Sequence, residues 1–195
     1  MMPLMKIILA SVSPRREELL HSLGLEFEVA PSNAVEHDEH PVSPRDLALQ
    51  NAQIKARDVA SRRPDALVIG ADTIVVLASQ VYGKPRDVHE ARHMLRNLSG
   101  RSHCVITGVC LIHGVERSFV VETWVQFREL SEPDIERYVA AVNTLDKAGA
   151  YAIQEGPPIV ATVDGSYSNV VGLPLERLVV ELREFGVIVD EPAQH

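Results

Sequence analysis

The chain has 195 residues, 46% hydrophobic and 24% charged, which suits one soluble globular unit with a real core. Its formal net charge of −8 argues against the broad basic face that binds DNA or RNA, though not against a phosphorylated small molecule held by a few local cations and a divalent metal. Cys104 and Cys110 have neither zinc-ligand nor redox spacing and read as buried free thiols, compatible with a reducing, cytoplasmic setting. The opening MMPLMKIILA lacks a basic leader and is too short to span a bilayer, so it reads as a first strand rather than a signal peptide.

Residues 6–10 form that apolar strand, and Ser13-Pro14 opens a helix carrying Leu19, Leu20 and Leu23, which Gly24 ends. Residues 27–30 predict a second short strand, followed by the acidic loop Glu36-His37-Asp38-Glu39-His40. Ser43-Pro44 with Asp46 starts a second helix through about Ala60. The continuous apolar run 66–71 predicts a strand buried on both faces. Asp87 with Glu90 reads as a capping box for a helix whose inner face is Val88, Ala91, Met94, Leu95 and Leu98, and Gly100 stops it. Residues 105–112 and 118–127 are strand-like and joined across His113-Gly114. Ser131 and Asp134 cap a helix with Ile135, Tyr138, Val139 and Val142 inward. A strand over 158–163 and a helix from Pro174 with Leu175, Leu178, Val179, Leu182 and Phe185 inward complete the pattern, and the tail after Val189 reads as frayed. Without repeats or a linker, residues 1–195 read as a single α/β domain with a mixed sheet.

Several groups carry chemistry. Ser11-Val12-Ser13-Pro14-Arg15-Arg16 follows a strand and opens a helix, where free amide donors, helix dipole and paired arginines suit a phosphate; Ser43-Pro44-Arg45 is a similar cap with no evident ligand. Asp72, in Gly70-Ala71-Asp72-Thr73, stands at the expected end of the buried strand, as a base or as a turn-forming carboxylate. Lys84 in Gly83-Lys84-Pro85 and Lys55 on the second helix are fixed or merely solvated ammonium groups. Glu36 offers an oxygen ligand to a hard cation, while His37 and His40 read as solvated. Glycines in 146–154 and 165–169 would let backbone approach a ligand.

Taken together, LAS-x-SPRR-x-ELL, GADT, GKPRD, LSG-x-x-H, LDKAGAYAIQ and GSY-x-NVVGLPL resemble the Maf family, in order across residues 8–186. The resemblance implies an elongated mixed sheet flanked by helices in two lobes with a central cleft, similar to the inosine triphosphate pyrophosphatases. It implies hydrolysis of a nucleoside triphosphate between the α and β phosphates and a homodimer; the acidic balance argues against a nucleic-acid partner, and the short apolar opening against a membrane one. By motif position, Ser11, Arg15, Arg16, Lys55 and Lys84 would hold the triphosphate. Glu36 would help bind Mg²⁺ or Mn²⁺, and Asp72 would be the general base or a metal-linked base. Thr73 and Gln154 resemble the subtype acting on dTTP and UTP; a glutamine amide matches the imide edge of uracil or thymine. The alternatives are a 7-methyl-GTP pyrophosphatase and a non-catalytic nucleotide-binding regulator of septum formation. Two features depart from the pattern: Glu155 sets a negative charge near the expected base pocket, and Pro157-Pro158 stiffens the turn.

Overall fold

The computed structural model describes residues 5–37 and 43–189; the expected frayed tail and residues 38–40 of the His-rich loop lie outside them. Strand β1 (Lys6–Leu9) runs parallel to β2 (Glu28–Val29) on one side and to β3 (Ala66–Leu77) on the other. A short β4 (Gln80–Tyr82) folds back on the end of β3, and β5 (Ser102–His113), β6 (Val115–Phe127) and β7 (Val160–Asp164) continue antiparallel. Among the described residues this gives a seven-stranded mixed sheet ordered β2-β1-β3-β5-β6-β7, with β4 beside β3. The expected hairpin is there, and Gly114 at its turn takes φ 69°, a conformation that favours glycine.

The helices are α1 (Pro14–His21), α2 (Pro44–Arg62), α3 (Val88–Leu98), α4 (Glu132–Ala141), α5 (Tyr167–Val171) and α6 (Leu175–Glu184). Side chains alternate across a strand, so β3 serves two cores. Leu67, Ile69 and Ala71 face the residues buried by α1 and α6, while Val75, further along the same face, packs with Ala91, Leu95, Ile135 and Tyr138 from α3 and α4. These are the two lobes. The opposite face is covered end to end by α2, from Val59 and Ala56 under Val68 to Ala48 and Leu47 under Ile74 and Val76. Among the described residues no helix is long and apolar enough to cross a membrane.

Caps fix the helix starts. Ser131 and Asp134 form the reciprocal capping box. At α3 only half of the expected box forms: Asp87 accepts from the Glu90 amide, but the Glu90 carboxylate reaches back to the Arg86 amide instead. Residues 165–169, expected as a turn where backbone could approach a ligand, include the start of α5, whose Ser166 hydroxyl caps it by accepting from the Asn169 amide.

One expectation is corrected. The apolar run predicts a strand ending at residue 71, yet β3 continues to Leu77, because Ile74, Val75 and Val76 find partners in β5 and, from Val75 on, in β4. What ends near Asp72 is a neighbour. Pairing with β1 stops at Leu9 opposite Ile69, extended only by the Ala10 amide donating to the Ile69 carbonyl at 2.8 Å, and β4 begins at Val75. Over residues 70–74, β3 keeps β5 on one side and is open on the other.

Helix α2 lies at backbone contact with the sheet. A Cβ on Gly70 would fall 2.5 Å from the Ala52 carbonyl oxygen, and one on Gly108 would fall 2.4 Å from that of Ala48. Neither contact can be relieved by turning a side chain. Gly108→Ala should therefore lower the melting temperature by roughly 5–10 °C, the consequence of overpacking by about 2–3 kcal/mol in a chain of this size. An unchanged melting temperature in a thermal scan would contradict this packing.

Candidate active site

A cavity of about 780 Å³ surrounds the open stretch of β3, and Ser11, Arg15, Arg16, Glu36, Lys55, Asp72, Thr73, Lys84 and Gln154 all line it. Its size is in the range of small-molecule sites. Because the strand alternates, consecutive residues reach it from opposite faces: Asp72 from the side of α2, Thr73 from the side of α1.

On the α2 side, the Lys55 ammonium sits 2.7 Å from Asp72 Oδ1 and 2.8 Å from Glu36 Oε2. Asn51, one helical turn before Lys55, holds the Glu36 loop in place. Its Oδ1 accepts from the His37 amide at 2.8 Å, and its Nδ2 donates to the His37 carbonyl at 2.9 Å and, at 3.4 Å, to Asp72 Oδ2. The His37 backbone is thus clamped, where the sequence reads as a solvated loop. His40 lies outside the described residues. Asp72 is 7% exposed and Asn51 3%, so this part of the polar set is formed inside the fold, while Glu36 reaches it from the exposed loop.

On the other face, Arg16 is enclosed. Its Nε donates to the Gly172 carbonyl at 2.8 Å, one terminal nitrogen to Thr73 Oγ1 at 2.9 Å and the other to Ser11 Oγ at 3.4 Å. Burial lowers its pKa from the usual arginine value; Asp72 and Glu36 act in the opposite sense, and Arg15 adds to the lowering. The group remains a cation at any ordinary pH. Thr73 in turn meets Thr107 at 2.9 Å, so its hydroxyl has protein partners on both sides.

The start of α1 differs from the similar start of α2. Ser43 caps α2 by accepting from the Asp46 amide, whereas Ser13 makes no side-chain cap at α1. Ser11 Oγ instead accepts from the Ser13 amide at 3.1 Å. The first turn of α1 thus keeps amide donors and dipole facing the cavity, an anion-binding arrangement.

Arg15 does not stand free. It lies 3.5 Å from Asp146 and 3.8 Å from Glu155, and the buried Lys147 is 2.8 Å and 3.2 Å from the same two carboxylates. The charge of Glu155 is therefore compensated locally rather than presented to the cavity. Desolvation pushes the Asp146 carboxyl up, but Lys147 and Arg15 outweigh it and hold the group below its usual value. Lys84 and Gln154 are exposed at the cavity rim, and the Gly149 amide donates to the Gly83 carbonyl at 3.0 Å, tying the Lys84 loop to the segment before Gln154. Both cysteines are free and buried, and burial pushes the Cys110 thiol up to about 12.

The donor set fits a hard divalent cation. Glu36 and Asp72 offer carboxylate oxygens to the same cavity. Among the described residues no three His, Cys, Asp or Glu side chains converge. Two carboxylates make the partial oxygen set that magnesium or manganese completes with water and substrate phosphates.

Residues missed in the sequence include Asn51, Thr107, Tyr138 and Tyr151. The Tyr138 hydroxyl donates to the Ala152 carbonyl and accepts from the Ala152 amide, both at 3.0 Å, fixing the segment before Gln154. His103, fully enclosed, meets the Tyr151 hydroxyl at 2.8 Å. Tyr138 on its inward helix face and Tyr151 within LDKAGAYAIQ were visible without a role, and Asn51 had a readable signal as a polar residue one turn from Lys55 on the small apolar face Ala48, Ala52 and Ala56.

The chain belongs to the Maf family: the family model described as Maf-like protein matches residues 6–185. Its relatives are similar over nearly their whole length. A dTTP/UTP pyrophosphatase from Symbiobacterium thermophilum is 50% identical over 183 residues, covering 93% of this chain and 94% of that protein. One from Anaeromyxobacter dehalogenans is 49% identical with the same coverage, and one from Syntrophus aciditrophicus is 45% identical over 97% of this chain and 95% of its own length.

Burial pulls the His103 imidazole from 6.5 down to about 4, opposed by a weaker backbone interaction with Arg101. Between those values the unfolded chain binds the proton and the folded chain does not, so the neutral histidine's contribution is whole above about 6.5 and is lost as pH falls toward 4. The loss should reach about 3 kcal/mol. Urea midpoints at pH 7 and 4.5 should converge for His103→Gln relative to the parent chain; an equal drop in both proteins would remove His103 from the acid response.

Proposed function

We propose that this chain is a nucleoside triphosphate pyrophosphatase that hydrolyses dTTP and UTP to the monophosphate and pyrophosphate. The observation that carries the reading is the Lys55 ammonium held between Asp72 and Glu36 on the open stretch of β3, within a cavity lined by four further cations, Arg15, Arg16, Lys84 and Arg86. The relatives' shared name, dTTP/UTP pyrophosphatase, supports the substrate class.

Phosphoryl chemistry of this kind needs positioning, charge neutralisation and an oriented water more than covalent participation. Ser11 and the open first turn of α1, with Arg15, Arg16, Lys55 and Lys84, hold the polyphosphate. Asp72 receives the proton of the attacking water. Lys55 keeps its Oδ1 fixed while Oδ2, touched only by the long Asn51 contact, retains acceptor capacity. Water oxygen bonds to the α-phosphorus as the α–β bridging oxygen departs with pyrophosphate. Glu36 and Asp72 would hold Mg²⁺ or Mn²⁺, which supplies Lewis-acid neutralisation of phosphate charge. Gln154 reads the imide edge of the base, and Thr73 shapes the cavity wall beside it. The reading includes a homodimer and a cytoplasmic setting, with which the two buried free thiols are compatible.

The test is pyrophosphate release from dTTP, UTP, CTP, GTP and 7-methyl-GTP with each metal. Preferred release from dTTP and UTP, reduced at least about a thousandfold in Asp72→Asn, is the expected result for loss of the base. No release from any nucleotide would leave a binding or regulatory protein, and preference for 7-methyl-GTP would reassign the substrate. Gln154→Ala should narrow the ratio of UTP to GTP turnover by about tenfold, roughly the loss of one base-edge hydrogen bond. An unaltered ratio would move base reading to another residue.

A further inference from the structure

A run of hydrogen bonds crosses the middle of the sheet from Arg16 to the Asn169 carbonyl, and its direction is fixed by proton counting. A guanidinium can only donate, so the Arg16 terminal N–H gives its proton to Thr73 Oγ1 at 2.9 Å. At the far end, Thr107 Oγ1 lies 3.2 Å from the Asn169 carbonyl oxygen, which can only accept, so the single Thr107 proton is committed there. The 2.9 Å contact between the two threonines must then be filled by the Thr73 proton. The other acceptor in reach of Thr73, the Gly172 carbonyl at 3.5 Å, already takes the Arg16 Nε–H at 2.8 Å.

The run is anchored at its acceptor end. Asn169 is fully buried, and its side-chain amide donates to the Val105 carbonyl at 3.1 Å and to Thr123 Oγ1 at 3.0 Å. Thr107 is fully buried in β5 and sits directly opposite Thr73 in the antiparallel register, a relation that backbone pairing alone dictates. Three of the five Arg16 N–H groups are accounted for by Gly172, Thr73 and Ser11, which leaves two uncommitted on a residue that lines the cavity.

We propose that Thr107 is a positioning residue: through the Thr73 hydroxyl it sets the guanidinium plane of Arg16, so that the two uncommitted N–H groups meet a polyphosphate in the cleft. Thr107 touches no substrate and acts only through Arg16. The inference rests on the reading above that Arg16 contacts phosphate. It adds a residue from the sheet interior, and it makes the Thr73 hydroxyl an aiming device for a cation.

The experiment is a double-mutant cycle of Thr107→Val with Arg16→Met, with Thr107→Ser alongside. Two quantities are read: kcat/KM for pyrophosphate release from UTP, and the Kd of inorganic tripolyphosphate with Mg²⁺, which needs no turnover. Valine keeps the shape and removes the hydroxyl. Thr107→Val should weaken tripolyphosphate binding and lower kcat/KM by about tenfold in the Arg16 protein, the scale of one buried hydrogen bond. It should change neither by more than about twofold in the Arg16→Met protein, because contacting residues in one chain are not additive. Thr107→Ser should stay close to the parent. Equal losses in both Arg16 backgrounds, or a serine variant as impaired as valine, would overturn the proposal in favour of simple packing. If Thr107→Val fails to fold, Thr73→Val breaks the same link from the other end and must show the same dependence on Arg16. A protein that binds tripolyphosphate with this coupling but releases no pyrophosphate would sink the enzymatic reading and keep the inference; a parent chain that does not bind tripolyphosphate would sink the inference.

Discussion

The seating of α2 on two glycines governs the geometry of this molecule. Gly70 on β3 and Gly108 on β5 lie where any side chain would strike the helix backbone, at 2.5 Å and 2.4 Å. Small residues on the helix, Ala48, Ala52 and Ala56, complete the contact. Close approach brings Lys55 and Asn51 within hydrogen-bonding reach of Asp72, and Asn51 then draws in the Glu36 loop by its backbone. A helix lifted off by one methyl layer would separate these groups beyond the reach of hydrogen bonds, whose strength falls steeply with distance and angle.

The cleft has an equally simple origin. Strand β3 is longer than either neighbour on one side, so β1 covers its start, β4 covers its end, and residues 70–74 are left open between two lobes. The opening lies just beyond the carboxyl end of β1, the end of parallel strands at which α/β folds accept ligands. Alternation along the open stretch then divides the labour. Asp72 points to the carboxylate and ammonium set, while Thr73 points to Arg16 and the buried polar chain from Asn169.

Electrostatically, an acidic protein has gathered several cations at one cavity and matched most of them with its own carboxylates. Lys55 lies between Asp72 and Glu36, and Arg15 and Lys147 between Asp146 and Glu155. Pairing of this kind offsets the cost of holding like charges together in a partly dry site. Under the proposed function, an incoming polyphosphate would compete with those carboxylates for the same ammonium and guanidinium groups.

Most of the elements, and the expected residues that line the cavity, were legible in the amino-acid sequence. Strand runs, caps at Ser43 and Ser131, and stop glycines at residues 24 and 100 are local signals, because hydrogen bonds and backbone dihedrals a few residues apart decide them. The same holds for the block at Ser11 to Arg16, proposed to hold phosphate, and for Lys84 and Gln154, whose spacing is carried by contiguous motifs. Tertiary structure decided the rest. Where β3 ends, that Asp72 is mid-strand, and that Asp87 makes only half a box depend on neighbours far along the chain. The roles of Asn51, Thr107 and Asn169 do too, since each is an ordinary polar residue until the sheet register puts it against a partner: Thr107 faces Thr73 across 34 positions, and Asn169 reaches Val105 across 64. Such contacts arise only when the folded core excludes water and leaves buried polar groups no partner but each other.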